Sequence, residues 1–127
     1  MEYNATILYV EDNAENRLLI RRILQAEGFK MLEAGSAADA LGIVQDHRPD
    51  LILMDINMPE VDGFSLTAQL KALPEIAAIP IVALTANVMR GDRERTLAAG
   101  CDGYIQKPID VDGLPEQVKT FLTVNKR

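Results

Sequence analysis

Pro49-Asp50-Leu51-Ile52-Leu53-Met54-Asp55-Ile56-Asn57-Met58-Pro59 runs four apolar residues straight into an aspartate, and its reading decides the fold. A short apolar run bounded by proline and turn residues reads as a strand buried on both faces, the habit of a parallel sheet covered by helices. Asp55 then stands at the C-terminal end of a central strand, where open α/β sheets bind their ligands. Pro59 and Gly63 break the chain into a turn beyond it.

Working outward, the same pattern recurs on both sides. Thr6-Ile7-Leu8-Tyr9-Val10 is β-rich and also ends on acids, Glu11-Asp12. Leu19, Ile20, Ile23 and Leu24 repeat at helical spacing, which predicts a first helix over 14–27, with Gly28 suited to the position just past its end. A second strand over 30–34 precedes a helix opened by Ser36, with Asp39 three residues on as in a capping box. After the central strand, Asp62 or Gly63 starts a helix whose Leu66, Leu70 and Leu73 face inward, and Pro74 helps to stop it. A strand over 79–84 leads to Thr85-Ala86-Asn87, and a charged helix with a thin apolar face, interrupted by Gly91, is expected over 88–99. A last strand over 103–106 reaches Lys107-Pro108, and Leu114, Val118, Phe121 and Leu122 stripe a closing helix with Pro115 in its first turn. Five strand–helix alternations with right-handed crossovers imply a flavodoxin-like doubly wound (βα)5 sandwich of strand order 2-1-3-4-5. That order gathers Glu11, Asp12 and Asp55 at the switch point, with Thr85 and Lys107 on the next two strand ends.

The length is that of one ordinary domain, and an apolar content of 48% is enough to bury a core. A net charge of −6 argues against nonspecific nucleic-acid binding and points to protein partners. The single cysteine, Cys101, cannot form an internal bridge, and no apolar run is long enough for a membrane span or a signal sequence. The expectation is one cytoplasmic domain, with no membrane insertion and no direct nucleic-acid contact.

Three carboxylates in one crevice repel each other unless a cation sits among them. Hard oxygen ligands select Mg2+, held by Glu11, Asp12 and Asp55 with the backbone carbonyl of Asn57, several waters and a substrate phosphate. Lys107 and the Thr85 hydroxyl supply a positive charge and a donor for phosphoryl oxygens. Asp55 is then the nucleophile of a phosphoryl transfer onto the protein, giving an acyl phosphate.

Glu11-Asp12, Leu51-Ile52-Leu53-Met54-Asp55 with Pro59 and Gly63, Leu84-Thr85-Ala86 and Lys107-Pro108 together resemble the receiver domain of two-component response regulators. The run from Thr85 through Pro108, with Met89-Arg90-Gly91-Asp92-Arg93-Glu94-Arg95 and Gly100-Cys101-Asp102-Gly103-Tyr104, is similar to single-domain receivers of the DivK kind and to receivers of hybrid histidine kinases. The resemblance implies a phosphoryl group taken from a histidine kinase or histidine phosphotransfer protein, lost by hydrolysis and read by a downstream protein. It implies a receiver unit over 5–124 with no effector domain after it, a cis Lys107–Pro108 peptide that aims the lysine, and a Tyr104 ring that turns inward on activation. Activation is expected to be read out on the surface formed by 88–99, 103–106 and the closing helix.

Each residue alone has an ordinary reading. Glu11 and Asp12 could cap the first helix, Thr85 could be a turn residue, and Lys107 could be a solvated lysine. Their joint placement at strand ends is what favours chemistry. Tyr104 also reads as a half-buried strand aromatic. His47, the only histidine, lies near a helix end where it favours the dipole, and Cys101 reads as a small packing residue. Asp55 and Asn57 do not open a calcium loop, because Pro59 stands early and Gly63 is out of register. A competing enzyme reading is a small phosphatase of the haloacid-dehalogenase kind. Those enzymes carry a second acid two residues after the nucleophile, where this chain has Asn57.

Overall fold

The computed structural model describes residues 5–56, 63–85 and 92–124. In chain order the elements are β1 (Thr6–Val10), α1 (Ala14–Gln25), β2 (Lys30–Ala34), α2 (Ala37–Asp46), β3 (Leu51–Asp55), α3 (Gly63–Lys71), β4 (Ile81–Thr85), α4 (Asp92–Ala98), β5 (Gly103–Gln106) and α5 (Leu114–Val124). The strands are all parallel and lie in the order β2-β1-β3-β4-β5, the doubly wound order expected.

Apart from the end residues Thr6, Asp55 and Thr85, β1, β3 and β4 are apolar throughout, because alternate residues feed two separate cores. Leu8, Val10, Ile52, Met54, Ile81 and Ala83 pack on one face with Ala40 and Val44 of α2 and Leu66 and Leu70 of α3. Ile7, Tyr9, Leu51, Leu53, Val82 and Leu84 pack on the other with Ile20 and Leu24 of α1 and Leu114, Val118 and Leu122 of α5.

Local chemistry fixes the helix ends. The Asn13 side chain accepts from the Asn16 amide at 2.9 Å, and Ser36 Oγ accepts from the Asp39 amide at 3.1 Å, so each caps its helix. α1 ends two residues before the expected position. Gly28 takes φ 97° just after it, a conformation in which a side chain would be strained. β4 begins two residues later than expected, because Pro80 has no N–H to offer a ladder; its carbonyl accepts from Ile52 N at 2.9 Å instead. Leu73 lies beyond the last turn of α3 and still packs, partly buried, on the α2/α3 core. The expected start of the fourth helix at 88, with Gly91, lies outside the described residues. Pro115 sits in the first turn of α5 as expected.

At the edge of the sheet away from the strand C-termini, Lys71 Nζ donates to the carbonyls of Ala77 and Ile79 and pairs with Asp102 at 2.8 Å. Asp102 in turn accepts from Ile81 N at 2.8 Å, so one ion pair ties the end of α3 to the start of β4 and the entry to β5. Cys101 is buried beside Thr67 with its thiol pushed up by burial, which suits the packing role read from sequence.

Candidate functional site

Strand parity decides which side chains meet at the carboxyl edge. Glu11 continues the face of Tyr9, Asp55 that of Leu53, and Lys107 that of Ile105, all on the side of α1 and α5. Thr85 continues the face of Ala83, and Ala83 pairs in register with Tyr104, so Thr85 and Tyr104 share the opposite face on adjacent strands. Two groups of two and three residues thus border one edge from opposite layers.

Asp55 is only 4% exposed, and Lys107 Nζ stands 3.0 Å from its Oδ1. The lysine is aimed by its backbone: Lys107 N donates to the Thr85 carbonyl at 2.8 Å, and the Lys107–Pro108 peptide is cis. Thr85 is buried and Tyr104 is half-buried against the α2/α3 core.

Glu11 is 2% exposed and lies against Asp55. Burial, then a hydrogen bond to Asp55, push its carboxyl from the usual 4.5 up to about 7, against the opposing pull of the Asn13 amide. Burial and the neighbouring Glu11 likewise push the Tyr9 hydroxyl up, so it remains a proton donor. Two carboxyl groups crowded into a buried corner with all-oxygen chemistry suit a hard divalent cation, whose charge would let both ionise.

The three acids expected at this edge differ in exposure. Asp12, one residue past Glu11 and of opposite parity, is exposed, and among the described residues no group of three or more His, Cys, Asp or Glu side chains is assembled that could hold a metal ion. Glu11 and Asp55 are brought together; Asp12 stands at the rim. Asn57, whose carbonyl was expected as a ligand, lies outside the described residues, as do 86–91.

Sequence reading passed over three residues around the acids. Tyr9 Oη donates to Glu11 Oε1 at 3.0 Å, Asn16 Nδ2 reaches the same oxygen at 3.4 Å, and Arg17 Nη1 donates to the Glu11 carbonyl at 2.7 Å. Arg17 is itself held by Glu33, with Nε at 3.4 Å. Tyr9 was legible as a partner because it precedes Glu11 by two on one strand face; Asn16 and Arg17 depend on how α1 turns back over the strand. A hollow of about 310 Å3 opens beside this corner, with Tyr9, Glu11 and Asn16 on one side and Lys107, Pro108 and Ile109 on the other.

The model of the response regulator receiver domain family matches residues 7–119. The polar-differentiation response regulator DivK of Brucella anthropi is 43% identical over 117 residues, 92% of this chain and 95% of the relative. The chemotaxis protein CheY4 of Vibrio cholerae superposes with a TM-score of 0.88 at 26% identity, over 94% of this chain and 99% of the other. The receiver domain of sensor histidine kinase PA1611 from Pseudomonas aeruginosa PAO1, described with a magnesium ion coordinated in its active site cleft, superposes with a TM-score of 0.86 at 34% identity, over 95% of this chain and 99% of that one. Sheet order, sequence similarity and structural similarity agree across almost the whole length, and the chain belongs to the response regulator receiver domain family of two-component signalling.

Proposed function

We propose that the chain is a phosphorylation-dependent signalling switch that accepts a phosphoryl group on Asp55 from a histidine kinase or histidine phosphotransfer protein and acts in the cytoplasm through protein contacts. The observation that carries this reading is a nearly buried Asp55 carboxylate with the Lys107 ammonium 3.0 Å away. An Asp55 carboxylate oxygen bonds to phosphorus as the bond from phosphorus to the donor's imidazole nitrogen breaks, and that electron pair leaves with the imidazole. Lys107 meets the charge on the phosphoryl oxygens. Glu11, Asp12, Asp55 and the Asn57 carbonyl are the residues to hold Mg2+, which when bound neutralises phosphoryl charge. The chemistry stays on the protein's own aspartate, in keeping with a signalling rather than an enzymatic family.

The switch element is the Thr85–Tyr104 pair. A phosphoryl group offers acceptor oxygens to the Thr85 hydroxyl, and the Tyr104 ring fills the space the threonine leaves on the same face. Only a differential interaction of this kind can shift the equilibrium between two states. The altered surface is formed by α4, β5 and α5, and a downstream protein reads it there; residues 5–124 are the receiver unit in this reading. Incubation with acetyl phosphate and Mg2+ should add one phosphoryl mass to the wild-type chain and none to Asp55→Asn. Equal modification of both would sink the assignment.

A further inference from the structure

The edge of the sheet opposite Asp55, where the strands begin, carries a groove that the phosphoryl chemistry does not use. α2, α3 and α5 all run back toward this edge, and two hollows open between their ends. One, of about 560 Å3, lies between the last turn of α2 and the turn after α3, over a floor of Val44, Leu73 and Ile76. The other, of about 340 Å3, runs on beneath the entries to β3 and β4 as far as Leu122 of α5. Arg48 and Glu75 line both, so the hollows adjoin. The rim is acidic: Asp46 and Glu75 border the first hollow and Asp50 and Glu75 the second, against Arg48 as the only cation. α2 ends at the first hollow with no basic residue in its last turn, and the carbonyl end of a helix adds negative potential. Asp50 accepts from the Thr6 amide at 2.8 Å, whereas the side chains of Asp46 and Glu75 have no hydrogen-bond or ion-pair partner among the described residues.

We propose that this groove docks a lysine- or arginine-bearing segment of a partner protein, with one basic side chain laid in each hollow. A long basic side chain matches the lining in both its parts, because its methylene stem lies on apolar surface while its charged head stays at the wet rim. Val44, Ile76, Ile79 and Leu122 are nearly buried already, so they offer a floor for such a stem rather than room for a large apolar anchor. A second copy of the chain fits worse, since it would set the same acidic rim, on a molecule of net charge −6, against this one. Asp50 on the rim and Asp55 stand at opposite ends of β3, roughly 16 Å apart at about 3.3 Å per residue. A docked segment therefore leaves the carboxyl edge open to a phosphoryl donor, and its partner holds the protein in either state of Asp55.

The test uses short fluorescein-labelled peptides of alanine and glutamine that carry two lysines at varied separations, and the same set with glutamate in place of lysine. At least one lysine peptide should bind the wild-type chain in fluorescence anisotropy at low ionic strength, with amide shift changes in NMR centred on 44–50 and 73–80. Asp46→Asn and Glu75→Gln should each weaken that binding by roughly two- to fivefold, the scale on which exposed ion pairs contribute. Arg48→Ala removes the rim's own cation and should tighten binding by a similar factor. Glu15→Gln removes the same charge from the exposed first turn of α1 and should leave the affinity close to that of wild type. All the substituted side chains are exposed, and the same spectra report whether each variant keeps the fold. Failure of every lysine peptide to bind, equal binding of the glutamate set, shifts spread evenly over the surface, or an Arg48→Ala variant no tighter than wild type would each overturn the inference. Shifts at the same residues that grow with protein concentration alone would give the groove to a second copy, and would overturn it too. None of these measurements involves modification of Asp55, so the phosphoacceptor reading stands or falls separately.

Discussion

The Lys107 ammonium stands 3.0 Å from a carboxylate that is almost wholly removed from water, and a charge-assisted contact of this kind contributes about 1.5–3 kcal/mol. Truncation in Lys107→Ala should therefore slow labelling by acetyl phosphate by roughly 10- to 100-fold. Normal labelling rates in that variant, measured by intact mass over time, would remove Lys107 from the chemistry. Glu11 makes a second residue-scale prediction. Its folded-state pKa, about 7, lies above its ordinary 4.5, so the folded state prefers the neutral carboxyl. The stability this preference contributes is fully present below about pH 4.5 and is lost as pH rises through about 7. In metal-free protein, the stability difference between wild type and Glu11→Gln should shift against wild type between pH 5 and 8, by on the order of 1–3 kcal/mol in urea denaturation. A difference independent of pH would show that Glu11 ionises freely in the fold.

Packing between elements sets where the molecule can and cannot give. A Cβ at Gly103 would overlap the Phe121 ring, so the close approach of β5 and α5 here depends on that strand position being glycine. Gly103→Ala must displace the ring or the helix and should cost about 1–3 kcal/mol, read as a lower urea midpoint. α4 shows the opposite condition. Thr96 is fully buried, yet among the described residues its Oγ1 has no hydrogen-bond partner, and a desolvated hydroxyl of this kind costs about 1–3 kcal/mol. Thr96→Val keeps the shape and removes the polar atom, and should raise stability by about 1 kcal/mol. A loss of stability would mean that the hydroxyl is satisfied in solution. The burdened helix is also part of the proposed readout surface, where rearrangement should be least costly. A phosphoryl mimic should accordingly change amide exchange over 92–106 in wild type and leave it unchanged in Thr85→Ala. Equal responses would place the output on another face.

For the molecule as a whole, the architecture was legible because β1, β3 and β4 carry uninterrupted apolar runs that only a sheet covered on both faces can bury. The boundaries read less well where one residue's backbone decides them, as Pro80 does for β4 and Gly28 does for α1. Glu11, Asp55, Thr85 and Lys107 stood out because each ends or directly follows a strand. The tether on Glu11 did not, since Asn16 and Arg17 belong to a helix stripe that spacing alone assigns to solvent. Asp12 was grouped with Glu11 by adjacency, but parity along the chain separates neighbours, leaving one buried and the other exposed. The central proposal is that Asp55, at the end of β3, accepts the phosphoryl group. The most direct test is chemical trapping. After incubation with acetyl phosphate and Mg2+, borohydride should reduce an acyl phosphate at residue 55 to the homoserine alcohol, found by peptide mapping in the fragment spanning Leu51 to Ile56. Reduction at any other carboxylate, or none in a fully folded sample, would contradict the account.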